Sequence, residues 1–424
     1  MRRSVLRECR SDRNRNILGW AGNGPRYTTT HLADRGGLTI GFTYNVRKPT
    51  EKYDLAALRK YSEWDSETTV EAIVSALEET GNKVIRIPAD VSLFGKLSAL
   101  RDKLDIVFNI VEGMSSELLE GTMREAIVPT FLEYLQIPYT GSGPLSMAEC
   151  LDKARAKEIA SWNGIRTAKF QLVTRTPFRL REDMSFPLVV KPVAEGSSIG
   201  LTQKSRVDDR ASLDPLVKEL IETYGQPALI EEFIGGKEYT VGIVGRCVMP
   251  VMTIDLHKMP SHPCLRDQDV KDAEPEFLWT RNSDHSRAAL ALAPFDGMYR
   301  GVVKMAVATH QALRCRDYDR LDIREKDGKP YLLELNPLPG MHPTDGDLPT
   351  VASAAGLDHM TLVNMVLLEA VLRYRSDARF ANRFSPDRVT GISLRVESAL
   401  ANAEYYDADL EADECFYRML KPKS

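Results

Sequence analysis

Apolar residues in the first part of the chain recur in a strand, helix, strand order. Residues 38–45 (LTIGFTYN) form a short apolar run that predicts a strand. Asp65 or Ser66 then suits a helix N-cap, and Gly81 suits the end of that helix. Two more strands and a helix are predicted downstream, at 84–87, from 105 onward and through 131–135. This alternation predicts a parallel α/β unit that binds ligands at the carboxyl ends of its strands.

A different pattern begins near Leu151 and combines short strands with long helices. A hairpin at 318–336 is its clearest part, because Asp327-Gly328 is a standard tight-turn pair between two strands. The other predicted elements are a helix at 151–164, a strand at 186–193, a glycine loop at 195–200, two strands joined by Gly235-Gly236, and helices at 298–315 and 359–374. Residues beyond about 375 are polar and irregular and predict no element. Arginine-rich residues 1–36 predict a disordered tail.

Length and composition indicate a soluble protein of two or three domains. The chain has 424 residues, of which 43% are hydrophobic and 27% charged. A net charge of −4 gives no case for a nucleic-acid or membrane-surface partner, and no apolar run approaches the ~20 residues of a membrane span. The six cysteines are scattered without a CxxC pair, and no secretory signal is present. We therefore expect a cytoplasmic protein.

The hairpin carries the most informative set of polar residues. Glu334 and Asn336 are two apart on one strand, so their side chains share a face. If the strands pair around the predicted turn, Asp322 meets both of them. Three oxygen ligands of this kind suit Mg²⁺, with Mn²⁺ as a substitute. The alternative is a solvated strand face whose charges point outward.

A lysine and a glycine loop form a second candidate site. The predicted strand at 186–193 carries Lys191 near its end, and the loop at 195–200 (EGSSIG) follows. Small residues allow backbone N–H groups to surround phosphates, and lysine adds a point charge. The pattern is neither a Walker A loop nor a Rossmann motif. An ordinary turn after a strand is the alternative.

Other candidates are weaker when taken alone. Glu231 and Glu232 end a predicted strand that could face adenine and ribose, although strand glutamates usually face water. Arg320 shares its strand face with Asp322, where it could stabilise an oxyanion or form a salt bridge. His342 in a loop predicts no role.

Six segments, taken in order, resemble the D-alanine–D-alanine ligase branch of the ATP-grasp superfamily. They are IPYTGSG, LDKARAK, FPLVVKPVAEGSSIG, EEFIGGKEYTVGI, RLDI and YLLELNPLPGM, spanning about 137–349. The resemblance implies an ATP-grasp fold, of α/β and α+β class, with an N-terminal parallel α/β domain. The implied divisions are a tail at 1–36, an N-terminal domain at 37–141, a small subdomain at 142–234, a large subdomain at 235–375 and an extension of unknown role at 376–424.

The resemblance also implies roles for particular residues around ATP. Phosphate contacts are implied for Lys153, Lys191 and the loop residues Glu195, Gly196, Ser197, Ser198 and Gly200, with Ser197 also beside the substrate. Adenine and ribose contacts are implied for Glu231, Glu232, Phe233, Ile234 and Glu238. Metal ligation is implied for Asp322, Glu334 and Asn336, and oxyanion contacts for Arg320 and the backbone of Gly340. Such enzymes activate a carboxylate as an acyl phosphate, which an amine then attacks.

The substrate side departs from the family pattern. The family's first-strand glutamate has no clear match, although Glu63 or Glu67 could replace it, and its histidine-glycine pair becomes Glu112-Gly113. The tyrosine-bearing loop has no match within 256–279. The family has a serine-leucine pair that receives the second substrate's carboxylate, and the corresponding position in this chain falls near Asp345 and Gly346. Asp345 would repel a carboxylate and suits an amine-rich or neutral nucleophile.

These observations favour a ligase that forms a peptide or amide bond between a small-molecule carboxylate and an amine, with amino acids other than two D-alanines as the expected substrates. A true D-alanine–D-alanine ligase of cell-wall synthesis is the first alternative. A non-catalytic ATP-binding module is the second. The family resemblance implies a possible homodimer.

Overall fold

A three-stranded parallel sheet forms the first part of the structure. The computed structural model describes residues 36–46, 64–113, 121, 123–256, 264–267 and 290–407. The elements of this part are β1 Thr39–Tyr44, α1 Glu67–Glu79, β2 Lys83–Pro88, α2 Leu93–Leu100, β3 Ile106–Asn109 and α3 Ile127–Leu135. The strands lie in the order β2-β1-β3 and all neighbours are parallel. The predicted parallel α/β unit is therefore confirmed.

Helix α1 follows the capping pattern of its sequence. The Ser66 side chain accepts a hydrogen bond from the Thr69 backbone at 3.2 Å, which satisfies a donor that the helix leaves unpaired. Gly81, just past the C-terminus, has a φ of +86°, a value that glycine adopts without strain. The apolar side chains of α1 are buried in the core: Val70, Ile73, Val74 and Leu77.

A four-stranded antiparallel sheet follows. Its region contains α4 Pro144–Leu151, α5 Lys153–Trp162, β4 Phe170–Val173, β5 Leu188–Pro192, β6 Arg206–Val207, α6 Arg210–Tyr224 and β7 Ala228–Glu232. The strand order is β4-β7-β5-β6. The helix predicted at 151–164 is shorter than expected, because Asp152 has an extended backbone and caps α5 through Ala154 and Arg155.

A larger antiparallel sheet of seven strands completes the fold. Its region contains β8 Glu238–Val244, β9 Cys247–Val248, β10 Met252–Ile254, β11 Leu290–Leu292, α7 Gly297–Ala312, β12 Tyr318–Lys326, β13 Lys329–Asn336, α8 Asp347–Ala355, α9 His359–Arg375, α10 Pro386–Leu400 and β14 Tyr406–Asp407. The main order is β11-β10-β8-β12-β13, and β9 pairs with both β8 and β14. The strands on either side of Gly235-Gly236 therefore belong to different sheets. The domain divisions stay a prediction.

Helix α9 lies inside the main core, and its buried residues run along nearly its whole length. Among the helices that the structure describes, none alone is long and apolar enough to cross a membrane. Helices α8 and α9 meet that test of length and composition only together, as a pair bent by 101°.

The residues after 375 were predicted to be irregular, and this prediction was wrong for α10. Val389, Ile392 and Val396 are buried at helical spacing, a signal that the polar residues between them obscured. Arg388 bonds both oxygens of Asp105, at 2.8 and 2.6 Å, beside the parallel sheet. Helix α10 is therefore part of the folded protein.

Glu369 on α9 gives an expected pH dependence of stability. Burial, followed by the Asp317 carboxylate, raises the pKa of Glu369 from 4.5 to about 7. The pKa of Glu369 is higher in the folded protein than in the unfolded one. The contribution of the neutral Glu369 carboxyl to the free energy of unfolding is therefore complete below pH 4.5 and is lost as the pH rises through 7. Glu369→Gln should increase the free energy of unfolding at pH 8 by about 3 kcal/mol relative to wild type, with little gain near pH 4.5. Denaturant titrations at the two pH values measure this, and an equal change at both would refute it.

Candidate active site

A cleft lies between the four-stranded and the seven-stranded sheets. The chain passes from one sheet to the other through 233–237. Gly236 is required there, because a Cβ at this position would lie 2.0 Å from the Glu325 carbonyl oxygen. The cleft encloses about 880 Å³ including its open mouth. Its walls carry charged side chains from both sheets and from α5: Lys153, Lys191, Glu231, Glu238, Asp322, Arg324 and Glu334.

The hairpin brings the predicted metal ligands to one end of this cleft. Asp327 and Gly328 have φ values of +52° and +70°, as a tight hairpin turn requires. The turn pairs Lys326 with Lys329, and a register shift between Asp322 and Ile323 then places Asp322 opposite Glu334 and Arg320 opposite Asn336. Residues directly opposite share a face of an antiparallel pair. The predicted arrangement of the three side chains is thus present, while their binding of a metal stays a prediction.

The donor set fits a hard divalent cation. Burial raises the pKa of Asp322; the Arg320 guanidinium, which bonds this carboxylate, opposes the rise, and the Glu334 carboxylate adds to it. A cation would offset this repulsion between carboxylates. The buried amide nitrogen of Asn336 has no hydrogen-bond partner among the described residues. Within those residues no three His, Cys, Asp or Glu side chains form a metal site, so the proposed set depends on the Asn336 amide.

Two predicted phosphate-binding lysines line the cleft. The Lys153 ammonium donates to the Glu195 carbonyl oxygen and lies 3.4 Å from a Glu334 carboxylate oxygen. The Lys191 ammonium lies 2.6 Å from Glu231. Both lysines are thus held by carboxylates from neighbouring strands, which fixes two positive charges beside the hairpin.

The glutamates predicted at adenine and ribose are mostly engaged by cations. Glu231 is buried and contacts Lys191, so its carboxylate does not face outward. Glu232 lies 3.7 Å from Lys169, and Glu238 accepts from Arg324 at 2.8 Å. Phe233 and Ile234 also line the cleft.

Arg324 was missed in the sequence, although it continues the alternation of Arg320 and Asp322 along β12. It bonds the carboxylate of Glu238 and the Ile234 carbonyl oxygen, at 2.8 and 3.0 Å. It therefore joins β12 to β8 and to the crossing segment at the wall of the cleft.

The predicted glycine loop has an unusual backbone. Ser197 and Ser198 have φ values of +47° and +62°, a region that costs a non-glycine residue roughly 1–3 kcal/mol. Gly200 has a φ of +75°, and a Cβ there would lie 2.5 Å from the Pro192 ring. The Ser198 hydroxyl donates to the Arg266 carbonyl oxygen at 2.9 Å. Such strain persists only where contacts hold it, and it is frequent at ligand sites.

A second cavity lies on the other side of Lys153 and Glu334. It is lined by Arg320, Asn336, Ser197, Gly196 and Gly340, all predicted near the reacting groups. Acidic side chains line it as well: Glu112, Glu125, Asp345 and Asp347. The predicted phosphate and substrate residues therefore occupy adjoining spaces that share Lys153 and Glu334.

Arg266 and Asp347 of this cavity were missed in the sequence. Arg266 bonds both oxygens of Asp347 at 3.0 and 2.8 Å, and Asp347 lies 3.5 Å from Arg320. Arg266 lies outside the recognised segments, so only the tertiary structure brings it here. Glu67 is exposed at the start of α1 and does not line the cavity. Glu63 and most of the segment 256–279 lie outside the described residues.

Comparisons with known proteins find related sequences over most of the chain. Residues 155–368 match the family described as D-ala D-ala ligase C-terminus. The chain is 30% identical over 318 residues to the uncharacterized protein y4sG of Sinorhizobium fredii, covering 73% of this chain and 90% of that protein. It is 33% identical over 304 residues to a D-alanine–D-alanine ligase of Brucella anthropi, covering 70% of this chain and 91% of that enzyme.

A solved structure shares the fold. The D-alanine–D-alanine ligase of Bacillus anthracis, solved in complex with ATP, superposes with a TM-score of 0.58 at 24% identity, covering 80% of this chain and 99% of that one. Together with the family match and the Brucella relative, this shows that the chain belongs to the D-alanine–D-alanine ligase family of ATP-grasp enzymes, which form carbon–nitrogen bonds.

Proposed function

We propose that this protein uses ATP and Mg²⁺ to couple a carboxylate to an amine other than D-alanine. The observation that carries this proposal is the register of the hairpin. It sets Asp322 against Glu334, and Arg320 against Asn336, where the two cavities meet. Fixed charges of both signs at that point suit the transfer of a phosphoryl group between them.

The first cleft is proposed to hold the nucleotide. Lys153 and Lys191 would neutralise phosphate oxygens, and the crossing segment with Phe233 and Ile234 would hold the base. Asp322, Glu334 and Asn336 would hold Mg²⁺, which would neutralise charge on the triphosphate. Residues of the loop at 195–200 line both the cleft and the second cavity, so the loop would shield the reacting phosphate from water.

The second cavity is proposed to hold the carboxylate and the amine. The substrate carboxylate would attack the γ-phosphate, giving an acyl phosphate and ADP. The amine would then attack the acyl carbon, lose a proton, and expel phosphate from the tetrahedral intermediate. Arg320 and the Gly340 backbone N–H would stabilise the oxyanion, since both line this cavity.

The acidic lining of the second cavity favours an amine without a nearby carboxylate. Asp345 is 61% exposed and lines this cavity together with Glu112 and Glu125, whereas Asp347 is paired with Arg266. An acceptor such as an amino acid would bring its carboxylate against these negative charges. A neutral or cationic amine would avoid that repulsion.

A substrate screen tests the proposed function. The protein would be incubated with ATP, Mg²⁺ and pooled acids and amines, and both phosphate release and new amide masses would be measured. We expect amine-dependent ADP formation with an acceptor other than D-alanine. Strong turnover with D-alanine alone would instead assign the cell-wall reaction that the Brucella relative is named for. ATP binding without turnover on every substrate would reject a ligase.

Asp345→Ser tests the acceptor preference. Removing this charge should raise kcat/KM for acceptors carrying a carboxylate by about fivefold relative to amines lacking one, because roughly 1 kcal/mol of repulsion is lost. Asp208→Ser is the matched control, since Asp208 is 72% exposed and lines neither cavity. An unchanged acceptor ratio in Asp345→Ser would contradict the preference.

A further inference from the structure

Lys157 is a buried lysine that the proposed reaction does not use directly. It lies one turn after Lys153 on α5 and is only 1% exposed. Its ammonium donates to the Thr167 hydroxyl at 2.8 Å and to the Leu332 carbonyl oxygen at 3.3 Å. Unlike Lys153, it lines neither cavity.

One carboxylate connects Lys157 to the nucleotide cleft. Glu231 lies between two lysines, with one oxygen 2.6 Å from the Lys157 ammonium and the other 2.6 Å from the Lys191 ammonium. Lys191 reaches the cleft, while Lys157 lies behind Glu231. These three residues, Lys157, Glu231 and Lys191, form a buried triad in which two cations share one anion.

The charge of the triad differs from that of a simple ion pair. A pair of Glu231 and Lys191 alone would be neutral, and the carboxylate would hold the Lys191 ammonium without competition. With Lys157 present, the triad carries one net positive charge. An anion in the cleft can reach this charge at Lys191, which lines the cleft. Charge interactions are strong at buried sites, since water screens them less.

We propose that Lys157 is a positioning residue for the nucleotide, because its ammonium pairs with the Glu231 carboxylate and thereby leaves the positive charge of Lys191 available to a phosphate. This inference rests on the proposed function, in which the cleft holds ATP. The local pKa directions agree with a shared carboxylate. Burial lowers the pKa of Lys157, whereas the neighbouring carboxylates, Glu231 first, outweigh burial at Lys191 and raise its pKa. The two lysines lower the pKa of Glu231 to about 2 despite its burial.

A charge-restoring pair of variants tests this proposal. Lys157→Met leaves Glu231 and Lys191 as a neutral pair, so Kd for ADP with Mg²⁺ should rise about tenfold or more. The KM for ATP should rise in parallel while kcat changes little. Adding Glu231→Gln to Lys157→Met leaves Lys191 as a single free charge, so the double variant should recover most of the lost affinity. Calorimetric titration with ADP measures both.

Two controls separate positioning from packing. Thr167→Val removes a neutral partner of Lys157 without changing charge and should leave Kd for ADP within about twofold of wild type. Thermal unfolding of each variant shows whether Lys157→Met is folded. If Lys157→Met is unfolded, Lys157→Arg replaces it in the test. Lys157→Arg should retain the wild-type Kd for ADP, because arginine keeps the positive charge. The proposal would be overturned if the double variant bound ADP as weakly as Lys157→Met does. It would also be overturned if Lys157→Arg bound ADP no better than an unfolded variant does. Failure of the wild type to bind ADP would instead reject the proposed function.

Discussion

Glu334→Gln is expected to lower amine-dependent ATP consumption by at least about a hundredfold. The substitution keeps the shape of the side chain, so β13 and its pairing with Asp322 should persist. It removes one of the two opposed carboxylates proposed to hold Mg²⁺, and it also removes the ion pair with Lys153. Steady-state phosphate release with a substrate pair found in the screen measures the change.

Glu325→Gln is the matched control for that prediction. Glu325 lies on the same hairpin, accepts a hydrogen bond from the Tyr239 hydroxyl at 2.8 Å, and lines neither cavity. The control should retain wild-type turnover within about twofold, because no charge near the reacting groups changes. If Glu334→Gln were as active as Glu325→Gln, the hairpin would not be the metal site.

Gly391→Ala should reduce stability by about 2–4 kcal/mol more than Gly95→Ala does. Both glycines lie inside helices, so both substitutions gain a similar helix propensity. A Cβ at Gly391 would lie 2.3 Å from the Thr80 carbonyl oxygen at the end of α1, whereas a Cβ at Gly95 meets no atom within 4 Å. Helix α10 would have to move away from α1, which weakens the Arg388 contacts with Asp105.

Denaturant and thermal unfolding of the two variants measure this difference. We expect Gly95→Ala to unfold at or slightly above the wild-type temperature and Gly391→Ala several degrees below it. Equal midpoints would show that α10 does not pack closely on α1. Limited proteolysis beyond residue 375 offers an independent readout, because an undocked α10 exposes its backbone.

The sequence predicted the parallel unit and the hairpin because their signals are local. Ser66 and Gly81 mark the ends of α1, and Asp327-Gly328 sets the hairpin turn, whereas the register shift that places Asp322 opposite Glu334 has no such local signal. Helix α10 was missed, although its buried positions have helical spacing, because polar residues dominate its composition. The break at Asp152 was missed too, because the capping signal lies inside a continuous helix-forming run.

Side-chain periodicity and turn chemistry therefore determined the hairpin and which residues share a face within one strand, and the ordered segments indicated the family, while the register shift that brings Asp322 opposite Glu334 came only from the tertiary structure. Only the tertiary structure decided the partners of each charge. Lys157, Arg266, Arg324 and Asp347 gained their contacts from residues distant in sequence, with which no spacing rule connects them. Glu231 shows the reason most clearly. A strand pattern predicts the face on which its side chain lies, but its burial between two lysines requires α5, which carries Lys157, and β5, which carries Lys191, to pack beside it.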